Sequence, residues 1–164
     1  MTNAVHAGPQ TTEGGLAGLA NGVLSRLEAL PNDIVAVLAR VGLAGIFFKS
    51  GLTKVVWDSE DGLMFADSVE YLFEEEYGLP LLPWDVAATL ATFNELVMPV
   101  LLVLGLLTRG AALVLLGMTV VIQLFVYSNL WETHALWAAG CLFLILRGPG
   151  VFSLDHLIRR RVTG

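Results

Sequence analysis

Apolar residues in this chain fall into four runs separated by short polar breaks. Ile34–Val56, Trp84–Leu107 and Gly110–Leu130 are each long enough to cross a bilayer as a helix, which takes roughly 17–25 mostly apolar residues. Trp131–Leu146 is shorter and is expected as a tilted or short fourth span. Between the first two runs, Phe65, Val69, Leu72 and Phe73 fall at i, i+4, i+7 and i+8, the spacing of one apolar helix face. Tyr77-Gly78 would end that helix, and Pro80 and Pro83 would prevent its continuation. The pattern predicts an all-α polytopic membrane protein. It is a four-helix transmembrane bundle with spans of about 34–56, 84–107, 110–130 and 131–146. An extracytoplasmic amphipathic helix lies in the outer segment 57–83.

Composition supports a membrane protein and excludes other classes. The chain has 164 residues, 55% hydrophobic and 15% charged, with a mean hydropathy of +0.72. A soluble domain carries about 25% charged residues. A net charge of −6 argues against nucleic-acid binding, which needs a basic surface. The single cysteine, Cys141, excludes an internal disulfide and a multi-cysteine metal site. Met1–Gly22 has no Lys or Arg and no compact apolar core, unlike a secretory signal. Residues 1–32 are expected as a partly disordered cytoplasmic tail, with a short surface helix at Leu24, Leu27 and Leu30. Residues 33–164 form the membrane domain.

Charge sets the expected orientation. Asp58–Pro83 holds eight acidic residues and no basic one, whereas Arg26, Arg109, Arg147 and Arg159–Arg161 fall on the other side of a four-span layout. The positive-inside rule then places both termini in the cytoplasm, in a bacterial inner membrane. Trp57, Trp84, Trp131 and Trp137 fall near the outer boundary, as an interfacial belt would. Glu74, Glu75 and Glu76 are consecutive and fan around a helix rather than converging, so no metal site is expected.

The polar residues inside the spans suggest chemistry, because charges in hydrocarbon are costly and are placed against partners, water or a ligand. Glu95 lies eleven residues into the second run, roughly 16 Å deep. Pro99 frees the carbonyl of Glu95, and Asn94 adds an amide beside it. Arg40 is placed to reach Glu95, and Lys49 falls on the opposite face of the first helix. Thr119, Gln123 and Tyr127 form a stripe on the third span, and His134 begins the fourth. Two readings follow. In one, Glu95–Arg40 is a structural ion pair and Gln123 and Tyr127 bond between helices. In the other, Glu95, Arg40 and Lys49 do chemistry, and Asn94, Gln123, Tyr127 and His134 bind a lipid-soluble ligand.

The ordered motifs resemble the DoxX family of small four-helix membrane proteins. They are Arg40-Val-Gly-Leu-Ala-Gly-Ile-Phe47, Lys49-Ser-Gly-Leu-Thr-Lys54, Asn94-Glu95, Gly105-Leu-Leu-Thr-Arg109 and Gly148-Pro-Gly-Val-Phe-Ser-Leu-Asp155. The resemblance implies a membrane subunit of a redox system, such as a thiosulfate:quinone oxidoreductase. Quinone would be the bound cofactor, none being covalent, and the partner a soluble or membrane redox protein. The alternative is a non-enzymatic anchor that recruits a partner in a metal-responsive peptide-modification or stress system. A third reading is a small anion or metal carrier, which would need to assemble as a homo-oligomer.

Overall fold

The computed structural model describes residues 32–80 and 82–163, with the single positions Gly18 and Val23. The expected surface helix at Leu24–Leu30 lies outside the described residues. The chain divides into two units, residues 1–31 and 32–164. The second contains four long helices: α1 (Asn32–Leu52), α3 (Trp84–Leu104), α4 (Thr108–Val121) and α5 (Trp131–Arg147). Between α1 and α3 stand a hairpin, β1 (Val55–Asp58) and β2 (Gly62–Phe65), and the short helix α2 (Ser68–Tyr71). A π-helical turn, Leu72–Tyr77, extends α2, and another, Ile122–Val126, extends α4. Helix α6 (Leu154–Thr163) closes the chain.

Among the described residues, three helices, Asn32–Leu52, Trp84–Leu104 and Thr108–Val126, are long and apolar enough to cross a membrane. α1 packs on α3 and α5, and α4 packs on α3 and α5. Their shared core includes Phe47, Leu102, Leu115, Cys141 and Leu144, all at most 1% exposed. Large aliphatic residues also face outward from every long helix, including Leu38, Leu90, Leu113, Leu136 and Leu146. Water would penalise such a surface and lipid would not.

The helix ends follow local chemistry. α1 begins directly after Pro31 with Asp33 in its first turn, where a carboxylate complements the helix dipole. α3 begins after Pro83 and stops at Gly105, whose φ of 67° is left-handed. A glycine accepts that conformation without strain. Leu107 takes φ 49° without being glycine. Asp155, from the start of α6, accepts hydrogen bonds from the Leu107 and Thr108 N–H groups at 2.8 and 2.9 Å. A remote carboxylate thus caps α4.

The outer segment departs from expectation. The first helix ends at Leu52 rather than Val56, because Val55 and Val56 enter β1 and pair with Phe65 and Met64 of β2. Both strand and membrane helix accept apolar β-branched residues, so hydropathy alone does not separate them. Phe65 therefore lies in a strand and is exposed, while Val69 and Phe73 are buried against Ala87 and Ala88 of α3. Trp137 is packed inside, with its ring 5.4 Å from Phe47 and 5.0 Å from His134. Trp57 and Trp131 are the exposed indoles, at 78% and 62%.

Candidate functional site

α1 is a short wall. Its last turn reaches only the level of Glu95, about 16 Å along α3 from Trp84. Gly51 sets this contact. A Cβ there would lie 2.9 Å from Leu96 Cδ2 and 3.0 Å from Glu95 Cβ, so only glycine admits α3 this closely. Beyond that level, the segment after the hairpin replaces α1 as the wall facing α3.

The turn that ends α1 carries Lys54 back to Glu95. The Lys54 ammonium donates to Glu95 Oε2 at 2.6 Å, and the two side chains are 4% and 6% exposed. Ser50 donates to the other carboxylate oxygen, Oε1, at 3.2 Å. Lys54 also donates to the Ser50 carbonyl at 3.3 Å and to its hydroxyl at 3.1 Å. A carboxylate, an ammonium and a hydroxyl are thus joined within an otherwise apolar region, where each would be costly alone.

These groups border a cavity of about 400 Å³, within the size range of small-molecule sites. Its walls are mainly apolar, including Phe47, Phe73, Leu79, Met118, Ile122 and Trp137. Both π-helical turns contribute lining residues, Phe73 and Tyr77 from one, Ile122 and Val126 from the other. Single π turns often occur at functional sites.

Polar groups line the same cavity opposite α1. His134 is 3% exposed, and its Nδ1 lies 2.7 Å from Gln123 Oε1. Gln123 Nε2 donates to the Ser128 carbonyl at 2.8 Å, which fixes the amide so that its oxygen faces the imidazole. Nδ1 therefore carries the hydrogen, and Nε2 is the ring nitrogen without a partner among the described residues. Tyr127 donates to Glu76 at 2.8 Å and packs edge-on to Tyr77 at 5.9 Å. Burial raises the pKa of the Tyr77 phenol. The bond to Glu76 does the same for Tyr127.

The seven residues singled out from sequence separate into groups. Glu95, Asn94, Tyr127 and His134 line the cavity. Gln123 stands behind His134 and positions it. Lys49 is exposed on the outward face of α1, where its stem can snorkel. Arg40 lies near the other end of the bundle and lines neither the cavity nor the cleft at that end. Its Nε donates to the Leu102 carbonyl at 2.6 Å, Nη1 to Phe152 at 2.7 Å and Pro149 at 3.2 Å, and Nη2 to the Val103 carbonyl. The guanidinium thus joins the carbonyls at the end of α3 to those of the α5–α6 turn.

The expected Glu95–Arg40 pair is therefore a Glu95–Lys54 pair. Arg40 and Lys54 are fourteen residues apart, which separates them by about 21 Å along the helix direction. Helical phase could have identified Lys54. Fourteen steps of about 100° return to within about 40° of Arg40, whereas the nine steps to Lys49 reach the opposite face.

The DoxX family model matches residues 35–128, which include Ser50, Lys54 and Glu95 and end before His134. An uncharacterised protein of Haemophilus influenzae is 30% identical over 148 residues, covering 82% of this chain and 90% of the relative. No solved structure matches the chain significantly.

Proposed function

The chain belongs to the DoxX family, and from that premise we propose that it is the membrane subunit of a redox system whose cavity holds the ring of a quinone. The observation that carries this reading is the buried Lys54–Glu95 pair at one wall of an apolar cavity. A quinone has the matching shape and polarity, a flat ring with oxygens on opposite edges and an apolar tail. The polar groups fit a quinone–quinol couple. Lys54 already donates to Glu95 and Ser50, and it would reach a ring oxygen by exchanging its longest bond, that to the Ser50 carbonyl at 3.3 Å. His134 Nε2, which has no partner among the described residues, lies on the same cavity and as a bare nitrogen would accept from a quinol hydroxyl. A bound quinone supplies two-electron redox chemistry. The chain's own residues hold the ring between Phe47, Phe73 and Trp137, exclude water, and offer proton positions at Glu95 and His134.

In this reading α5 is a fourth span. Its 17 residues reach about 26 Å, and its outward leucines face lipid. Both termini then lie in the cytoplasm of a bacterial inner membrane, with the hairpin and α2 outside. The redox partner docks as a separate protein.

The test is titration of the full-length protein in nanodiscs with ubiquinone-1, following tryptophan emission, because Trp137 lines the cavity. Saturable quenching is expected. Lys54→Met or Glu95→Gln should weaken it by about tenfold or more, the scale of one charge-assisted hydrogen bond. Equal quenching in both variants would remove the pair from ligand binding.

A further inference from the structure

At the basic end, the α3–α4 and α5–α6 turns and the first turns of α6 enclose an open cleft of about 650 Å³. Arg109 near the start of α4, Arg147 in the last turn of α5 and Arg159 of α6 line it. Two carboxylates also line it, and both bond to backbone amides. Asp155 accepts from Leu107 and Thr108 N–H, and Asp33 accepts from Val151 N–H at 2.8 Å. Arg109 and Arg147 have no hydrogen-bond or ion-pair partner among the described residues. Gly148, which follows Arg147, has φ 86° and ψ −173°, a backbone conformation that favours glycine. A Cβ at Gly148 would lie 3.6 Å from the Arg109 guanidinium, so the bare turn following Arg147 lies directly against Arg109.

A second observation concerns Thr108. It lines the same cleft and is 0% exposed. Its hydroxyl has no hydrogen-bond partner among the described residues. A buried hydroxyl without a partner costs on the order of 1–3 kcal/mol, and an oxyanion in the cleft would remove that cost. Asp155 already accepts from the Leu107 and Thr108 amides at the start of α4, so a ligand here would be held chiefly by the side chains that line the cleft.

We propose that this cleft binds a phosphate-class oxyanion through the forks of Arg109 and Arg147, with the Thr108 hydroxyl as a further donor. Planar guanidinium groups match the bidentate geometry of phosphate oxygens. Basic pockets between membrane helices hold anionic lipid headgroups in this way. The phosphate can come from a lipid headgroup or from a soluble phosphate. The cleft shares no residue with the quinone cavity, so the two proposals stand or fall separately.

The test uses the full-length protein and two probes. Native mass spectrometry in detergent compares retention of dioleoyl phosphatidylglycerol with that of dioleoyl phosphatidylcholine. Separately, thermal melting in nanodiscs made only of the phosphatidylcholine is measured with and without millimolar inorganic phosphate. The wild type should favour at least one probe by about tenfold, the scale of one or two charge-assisted bonds. R109Q/R147Q should abolish the preference while melting normally without phosphate. T108V should lower it severalfold. R160Q/R161Q, which removes two α6 charges outside the cleft, should leave it unchanged. Lipid retention without a phosphate effect assigns the headgroup source, and a phosphate shift without lipid preference assigns the soluble one. Failure to favour either probe, or an equal loss in R160Q/R161Q, overturns the site.

Discussion

Arg40, near the middle of α1, and Lys54, in the turn just past its end, are each 4% exposed, and they solve the problem of a buried cation differently. Arg40 divides its charge among four backbone carbonyls from two chain turns. Lys54 directs its charge mainly at one carboxylate. A planar guanidinium with five donors can tie several strands of backbone together, whereas an ammonium acts as a point charge. The Arg40 guanidinium is enclosed by backbone and lines neither the cavity nor the cleft. The Lys54 end borders open space where a ligand atom can join the network. Burial of a charge therefore does not by itself mark a functional site, and the space beside it separates the two cases.

Substitutions can break this comparison. Arg40→Met should have the largest effect, because it removes four hydrogen bonds that tie the end of α3 to the α5–α6 turn. We expect a loss of about 5 kcal/mol or more, seen as failure to purify a monodisperse, helical protein. Lys54→Met should cost about 3–5 kcal/mol by leaving Glu95 buried without its counter-ion. The double variant Lys54→Met/Glu95→Gln should recover much of that loss in thermal melting. A double variant no more stable than Lys54→Met would show that the two residues are not coupled. Gly51→Ala should cost about 1–3 kcal/mol through overpacking against Leu96 and Glu95. Gly45→Ala, where a Cβ meets nothing within 4 Å, should be neutral or better in the same melt.

The smaller effects lie at the outer cap. Tyr127→Phe should cost at most about 1 kcal/mol, because its bond to Glu76 is open to solvent. The Tyr77 and Tyr127 phenols are both raised above the ordinary value of 10.0. Groups whose folded pKa is raised contribute stability that is present in full below the unfolded value and lost as pH rises through the folded one. Melting temperature should therefore fall as pH climbs above about 10, and less steeply in Tyr127→Phe. Asp58 behaves oppositely. Amides of Glu60 and Asp61 bond its carboxylate and lower its pKa from 3.8. The hairpin turn should thus be supported above that value and loosen as pH falls through the lowered one, read from Trp57 emission. Asp58→Asn should remove that dependence.

Much of this architecture was legible in the sequence because the physics involved is local. Apolar run length predicted four spans, and among the described residues three helices are long and apolar enough to cross a membrane; Pro83 and Gly105 marked the ends of α3. Glu95, Asn94, Tyr127 and His134 stood out because polar groups are rare in such runs, and all four line one cavity. The hairpin was not legible, since Val55, Val56, Leu63 and Met64 suit either a strand or the end of a span. The partner of Glu95 was missed because relative helix depth leaves no mark in hydropathy.

The sequence by itself therefore determined the medium, the helices and the set of polar residues that must find partners, since each follows from the transfer energy and backbone bonding of short segments. The tertiary structure decided which partners they found. Gly51 lowers α1 against α3 until Lys54 meets Glu95. The α3 terminus and the α5–α6 turn converge on Arg40. These pairings depend on how far one helix is displaced along another, a quantity set by close packing between distant segments.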